Sequence, residues 1–302
     1  MEEMTTGLCP NCGHALQIPA ELESFSCMYC GERLTKRQLL TQAAAAQRSD
    51  EDCAASYDRA VARLGWCVKN FRGYQKKILR DAFFEAFETY ETGCAPVIQE
   101  LNNGITPERQ TELLDHAAEA MLDELSAGWE KKTDMDDEKI ILAIFFVPMV
   151  RKLQLPVSEE FVTLLQKKWV ERYPKSPFYL GDYNSISGGF RKKFLGLCFI
   201  TTAVCQELGK PDDCAELTAF RAFRDGYLAA QPDGEALIRE YYNIAPGIVT
   251  CINTCSDRHA SYERIREQYL TPCYEDLLAG RNADCKTRYV QMVRDLEREY
   301  LN

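Results

Sequence analysis

A mostly α-helical chain with a small zinc ribbon at its N-terminus is what the sequence predicts. Three observations carry that expectation: two Cys-x2-Cys pairs near the start, helical periodicity from Thr35 onward, and almost no strand patterning after the ribbon. Residues 9–30 read CPNCGHALQIPAELESFSCMYC, which spaces the thiols as Cys9-x2-Cys12-x14-Cys27-x2-Cys30. A two-residue gap lets both thiolates of a pair turn onto one ion, and Gly13 and Gly31 tolerate the backbone that such a turn requires. Four soft thiolates in a tetrahedron suit Zn²⁺ and leave no open position for a reacting water, so one structural zinc per chain is expected. A redox or iron site is the alternative for the same four ligands. His14 is surplus to that set and is expected at the surface. A module this small would not fold without its metal.

The helical body follows in order. Thr35 with Gln38 makes a capping-box pattern, and so does Asp213 with Glu216. Thr106 before Pro107 reads as an N-cap with proline in the first turn. Leu217, Phe220, Phe223 and Tyr227 recur at spacings of three and four, with Glu216, Arg221, Arg224 and Asp225 off the stripe. Tyr289, Val293, Leu296 and Tyr300 repeat that pattern near the end. The segment 171–189, rich in Pro, Gly, Ser and Tyr, is the expected boundary within the body. The domains expected are therefore a ribbon over 1–34, a helical domain over 35–185 and a helical C-terminal domain over 186–302.

Composition narrows the role. The chain has 302 residues, 46% hydrophobic and 27% charged, which is globular rather than disordered. Lys and Arg number 36 against 46 for Asp and Glu, a formal charge of −10 that opposes general binding to nucleic acid or anionic membrane. The apolar runs 140–150 and 194–205 are too short to span a bilayer. No basic-then-apolar leader opens the sequence, so a cytoplasmic protein with reduced or metal-bound thiols is expected.

From Cys198 the chain reads CFITTAVC, then FRAFRDGYL over 220–228 and EYYNIAP over 240–246. In these segments it resembles the bacterial CFI-box C-terminal domain family, whose motif opens CFIATA and continues with an Arg-Phe-Arg-Asp helix and a paired-tyrosine-to-proline segment. Cys198, Phe199, Ile200, Thr202 and Ala203 fall on the opening, and Phe223, Arg224, Asp225, Tyr241, Tyr242 and Pro246 on the later parts. Cys205-Gln206 stands where the family has Tyr-Gly. The resemblance implies the ribbon-then-helices architecture and brings no activity with it.

Of the 14 cysteines, Cys198, Cys205, Cys214, Cys251, Cys255, Cys273 and Cys285 lie in the C-terminal third. Small buried hydrophobe is the ordinary role of such thiols. On one helix, Cys198 and Cys205 would sit two turns apart, about 10.5 Å, too far for a disulfide or a shared zinc. Cys251, Cys255 and His259 form a candidate second metal site, needing a helix break or a further ligand such as Cys214, Cys273 or Cys285. Cys198 is also a candidate nucleophile: Arg191, Lys192 and Lys193 would lower its pKa, and His259 is the histidine suited by position to act as its base. Its apolar setting in GLCFITTAVC argues for an inert thiol instead.

Residues 59–80 carry Arg59, Arg63, Lys69, Arg72, Lys76, Lys77 and Arg80 with no acid, interleaved with Trp66, Phe71 and Tyr74. Such a stretch is either a patch for an anionic partner or the solvated face of an amphipathic helix, the latter being favoured. Glu112, His116 and Glu119 share a helix face, but no Glu-x-x-His accompanies them as a di-iron bundle requires. No Walker loop, G-x-G-x-x-G, H-E-x-x-H or G-x-S-x-G occurs. The expected role is thus a zinc-ribbon helical adaptor that binds a protein or peptide partner. A thiol-dependent enzyme or redox sensor using Cys198 with His259 is the alternative, and a nucleic-acid-contacting accessory using 59–80 is the third reading.

Overall fold

The computed structural model describes residues 4–11, 14–39, 49–178, 180–191, 198–254 and 257–301. It is a predominantly helical protein with a small N-terminal region of strands. Strand β1 (Met4–Leu8) pairs antiparallel with β2 (Ala15–Pro19), and β3 (Ser24–Ser26) pairs antiparallel with β4 (Arg33–Thr35). Alternation along β2 puts Leu16 and Ile18 on the buried face, where they join Cys9, Cys27, Leu34 and Leu39, with Phe25 packed alongside. Gly7 is required there: a Cβ on it would lie 2.6 Å from both the Leu39 carbonyl oxygen and Cγ. The chain then turns at Thr35, whose N–H donates to Gln38 Oε1 at 2.7 Å while Gln38 N–H donates to Thr35 Oγ1 at 3.3 Å. That reciprocal pair is the expected capping box.

The helices are α1 (Asp50–Leu64), α2 (Trp66–Lys69), α3 (Phe83–Gly104), α4 (Gln110–Ser126), α5 (Lys132–Ile141), α6 (Val147–Leu153), α7 (Ser158–Arg172), α8 (Tyr183–Arg191), α9 (Phe199–Glu207), α10 (Ala215–Ala222), α11 (Gly234–Thr254), α12 (Arg258–Ile265), α13 (Thr271–Leu278) and α14 (Asn282–Tyr300). Helix α5 runs into α6 through a π turn at Leu142–Phe146, and α12 into α13 through another at Arg266–Leu270. Pro148 and Pro272 lie just beyond these turns and lack the N–H that an uninterrupted α-helical ladder would use. A third π turn, Phe223–Leu228, extends α10.

Two compact units make up the chain, and they are interleaved: residues 1–71, 90–138 and 145–174 form one, and 72–89, 139–144 and 175–302 the other. The sequence had suggested boundaries in succession at 34/35 and 185/186. In the first unit, Trp169 is fully buried, with Trp129 and Tyr173 at centroid distances of 5.9 and 5.1 Å, and Trp129 Nε1–H donates to the buried Glu138 carboxylate at 2.8 Å. In the second, Phe83 stacks on Phe190 at 4.3 Å, and Gly247 of α11 approaches the Ile78 carbonyl so closely that a Cβ would lie 1.9 Å from its oxygen.

Two sequence expectations are corrected here. Residues 59–80 are not one amphipathic helix: α1 stops at Leu64, Gly65 separates it from the single turn of α2, and Gly73 adopts φ +93° before a 3₁₀ turn at Tyr74–Lys77. Asp213 and Glu216 do not cap α10. Cys214 occupies the N-cap without a side-chain cap bond, and Glu216 pairs with Lys210.

Candidate metal centre and candidate binding pocket

At the N-terminus, the turn after β1 closes through Cys9 N–H donating to the His14 carbonyl at 2.9 Å. The second turn closes through Cys27 N–H to the Glu32 carbonyl at 2.8 Å and Gly31 N–H to the Cys27 carbonyl at 2.9 Å, with Gly31 at φ +77°. These turns bring Cys9, Cys27 and Cys30 together with their sulfurs within 4.8 Å of one another, a group that could hold a metal ion. Cys9 and Cys30 Sγ are 3.8 Å apart, and Asn11 Nδ2–H donates to Cys30 Sγ at 3.5 Å. Two thiolates on a tetrahedral ion at 2.3 Å each would be separated by about 3.8 Å, so the spacing fits that geometry. Cys12, the fourth expected ligand, and Gly13 lie outside the described residues. His14 is exposed and stacks on Tyr29 at 4.3 Å, as suits a residue surplus to the ligands.

The second unit holds a small pocket, about 60 Å³ in cavity volume, that opens to solvent. Its wall is mostly apolar, with Phe220, Phe223, Leu237, Ile238 and Val293 among the lining residues. Six of the lining residues carry a polar or charged group: Cys198, Arg224, Glu240, Tyr241, Tyr289 and Arg294. Helix α9 begins immediately after Cys198, and the π turn at Phe223 brings Arg224 over it, with Nη1 3.6 Å from Sγ. Asp225 holds that guanidinium in a fork of two 2.7 Å bonds. Burial opposes the Arg224 charge, but the Asp225 carboxylate and the other groups facing it outweigh burial and raise its pKa, while the same pairing holds Asp225 below its usual range.

Tyr241 and Tyr289 tie the pocket floor to α9. Ile200 N–H donates to the Tyr241 hydroxyl at 3.0 Å, Tyr289 O–H donates to Tyr241 at 3.3 Å, and Thr201 Oγ1 lies 3.1 Å from the Tyr289 hydroxyl. The Tyr241 bond satisfies an N–H in the first turn of α9, which has no intrahelical partner. Burial pushes both phenols well above their ordinary range.

Cys198 is a protonated thiol at neutral pH. Burial pushes it up to about 11, against the downward pull of Arg224 and Arg221, and only 4% of it is exposed. The pairing of Cys198 with His259 does not form. His259 lies on α12 beside Glu207, with Nδ1 3.4 Å from Oε1, at the far end of α9 from Cys198. Nine residues of helix separate the two ends, about 13 Å. Arg224, the described residue that hydrogen-bonds the Cys198 sulfur, cannot accept a proton. Lys192 and Lys193 lie outside the described residues.

Of the candidate set Cys251, Cys255 and His259, two residues are described. Cys251 is fully buried in α11, Cys255 lies outside the described residues, and His259 is exposed on α12. In the first unit Arg59 pairs with Glu100 at 3.0 Å, Lys69 with Glu124 at 3.5 Å, and Arg63 lies 5.0 Å over the Trp66 ring. Arg72, Lys76, Lys77 and Arg80 belong to the second unit. His116 Nδ1 is 2.7 Å from the Tyr57 hydroxyl, Glu112 pairs with Arg109, and Glu119 with Lys168 and Arg172, so each of these is engaged without a metal.

No protein-family model, curated protein or solved structure matches this chain. Among the described residues, no helix is long and apolar enough to cross a membrane.

Proposed function

We propose that the protein is a binding module: a ribbon held by structural zinc, joined to helices whose pocket beside Cys198 accepts an apolar anchor of a protein or peptide partner. The observation that carries this reading is the setting of Cys198, a buried thiol between an arginine and an apolar wall. A catalytic cysteine needs a thiolate and a proton acceptor. Cys198 meets a guanidinium and a desolvating cavity instead, so its thiol lines the pocket without acting as a nucleophile. The residues that suggested a CFI box support the same site, since Cys198, Phe223, Arg224 and Tyr241 all line it. Membership of that family and a cytoplasmic location belong to this proposal. Four-thiolate chemistry favours zinc over harder cations at the ribbon.

The anchor is an aromatic or branched side chain, because walls of Phe, Leu, Ile and Val reward burial of apolar surface by roughly 25 cal/mol per Å². The test uses the aromatic sulfonate 1-anilinonaphthalene-8-sulfonate as a stand-in anchor for the folded full-length protein. Saturable binding that is lost in Val293→Trp, which fills the pocket, supports the reading, provided far-ultraviolet circular dichroism is unchanged. Binding that Val293→Trp leaves intact would overturn it.

A further inference from the structure

We propose that Cys205, Cys214 and Glu216 form a second metal site, which takes one soft divalent cation of the Zn²⁺ class. It is independent of the apolar pocket and of the ribbon. Cys205 lies in the last turn of α9, Cys214 at the N-cap of α10 and Glu216 in the first turn of α10. The loop between these helices, with Gly209 at φ +68°, folds back so that all three ligand atoms lie within 4.8 Å of one another.

Cys214 Sγ is 3.8 Å from Cys205 Sγ. That is far longer than a disulfide, about 2.05 Å, and equals the edge of about 3.8 Å expected for two thiolates on tetrahedral zinc. The same 3.8 Å separates Cys9 and Cys30 in the ribbon. The buried thiols of Cys67 with Cys94 and of Cys273 with Cys285 also meet, but neither pair belongs to a three-ligand group among the described residues.

Charge and space agree with the assignment. Glu216 is paired with Lys210, and a carboxylate has a second oxygen to offer, so the ammonium can orient the ligand as outer partners of metal ligands do. Zn²⁺ with two thiolates is neutral, so binding leaves the Lys210–Glu216 balance undisturbed. The two Sγ–H protons pass to solvent as the ion enters. A cavity lined by Cys205, Lys210, Glu216, Arg266 and Tyr274 adjoins the group, with room for water in the fourth position. Cys214 is only partly buried, which provides a route in.

The test counts zinc on the full chain, reduced and purified without oxygen, equilibrated in a zinc buffer and weighed by native mass spectrometry. Wild type is expected to hold two zincs, and Cys214→Ser one; serine is itself a favourable N-cap, so that variant should keep its fold. Glu216→Gln should weaken the second zinc without affecting the first. Cys251→Ala should still hold two. A zinc count that Cys214→Ser leaves unchanged, a zinc lost only in Cys251→Ala, or a Cys205–Cys214 disulfide formed in place of zinc uptake would each overturn the assignment.

Discussion

Cys198 illustrates how the neighbours of a thiol decide its chemistry. Burial and the Arg224 guanidinium pull in opposite directions, and burial wins, raising the thiol from its ordinary value near 9 to about 11. The consequence for stability has a definite sign. Between those values the unfolded chain has lost the proton and the folded chain keeps it, so unfolding gains ground as pH rises. The stabilisation is complete below pH 9 and is lost as pH climbs through 11, a loss on the order of 3 kcal/mol. Urea unfolding of wild type and Cys198→Ala across that window should show the difference between them shrinking or reversing at the alkaline end; a constant difference would mean that the thiol is not desolvated. Nothing in the sequence pointed to Arg224 as the partner. It lies 26 residues away, and the nearer candidates were the basic residues just before Cys198.

Elements were legible where a local signal sets them. The Thr35–Gln38 box forms because both partners lie within one turn and each supplies what the other lacks. Asp213 and Glu216 have the same spacing, yet the chain enters α10 one residue later and Lys210 takes the glutamate. The π turns were hidden for a different reason: their cause is a missing donor or a tertiary contact rather than a composition. Two of them supply cavity walls, Phe223–Leu228 beside Cys198 and Arg266–Leu270 beside Cys205, so the pocket was as hard to read as the turns that build it. At α1 the start is set by Ser49, whose Oγ accepts from Asp52 N–H at 3.1 Å and donates to Asp52 Oδ2 at 2.7 Å. Ser49→Ala should cost about 1 kcal/mol in thermal or chemical unfolding, and Ser49→Asp much less. Equal losses in both would place the effect elsewhere than the cap.

For the whole molecule, spacing of cysteines and helical periodicity were enough to foresee a strand-built N-terminal module ahead of helices. They could not foresee that the helical chain interleaves into two compact units, because that partition depends on contacts far apart in sequence. Metal and packing are expected to stabilise different parts. Among the described residues the N-terminal core is six buried side chains, two of them cysteines, whereas the helices bury full aromatic and aliphatic side chains. Chelation should therefore make residues before 40 protease-sensitive while the helical circular dichroism persists. Global loss of helix on chelation would show that the units depend on the metal.

Alkylation of the native, metal-loaded protein near neutral pH, mapped cysteine by cysteine by mass spectrometry, tests most directly whether the thiols are closed off. Cys198, Cys67, Cys251, Cys273 and Cys285 should stay unmodified, and Cys9, Cys27 and Cys30 should become reactive only after chelation. Rapid modification of Cys198 in the folded, metal-loaded protein would show a reactive thiolate at the pocket, and would contradict binding in favour of catalysis.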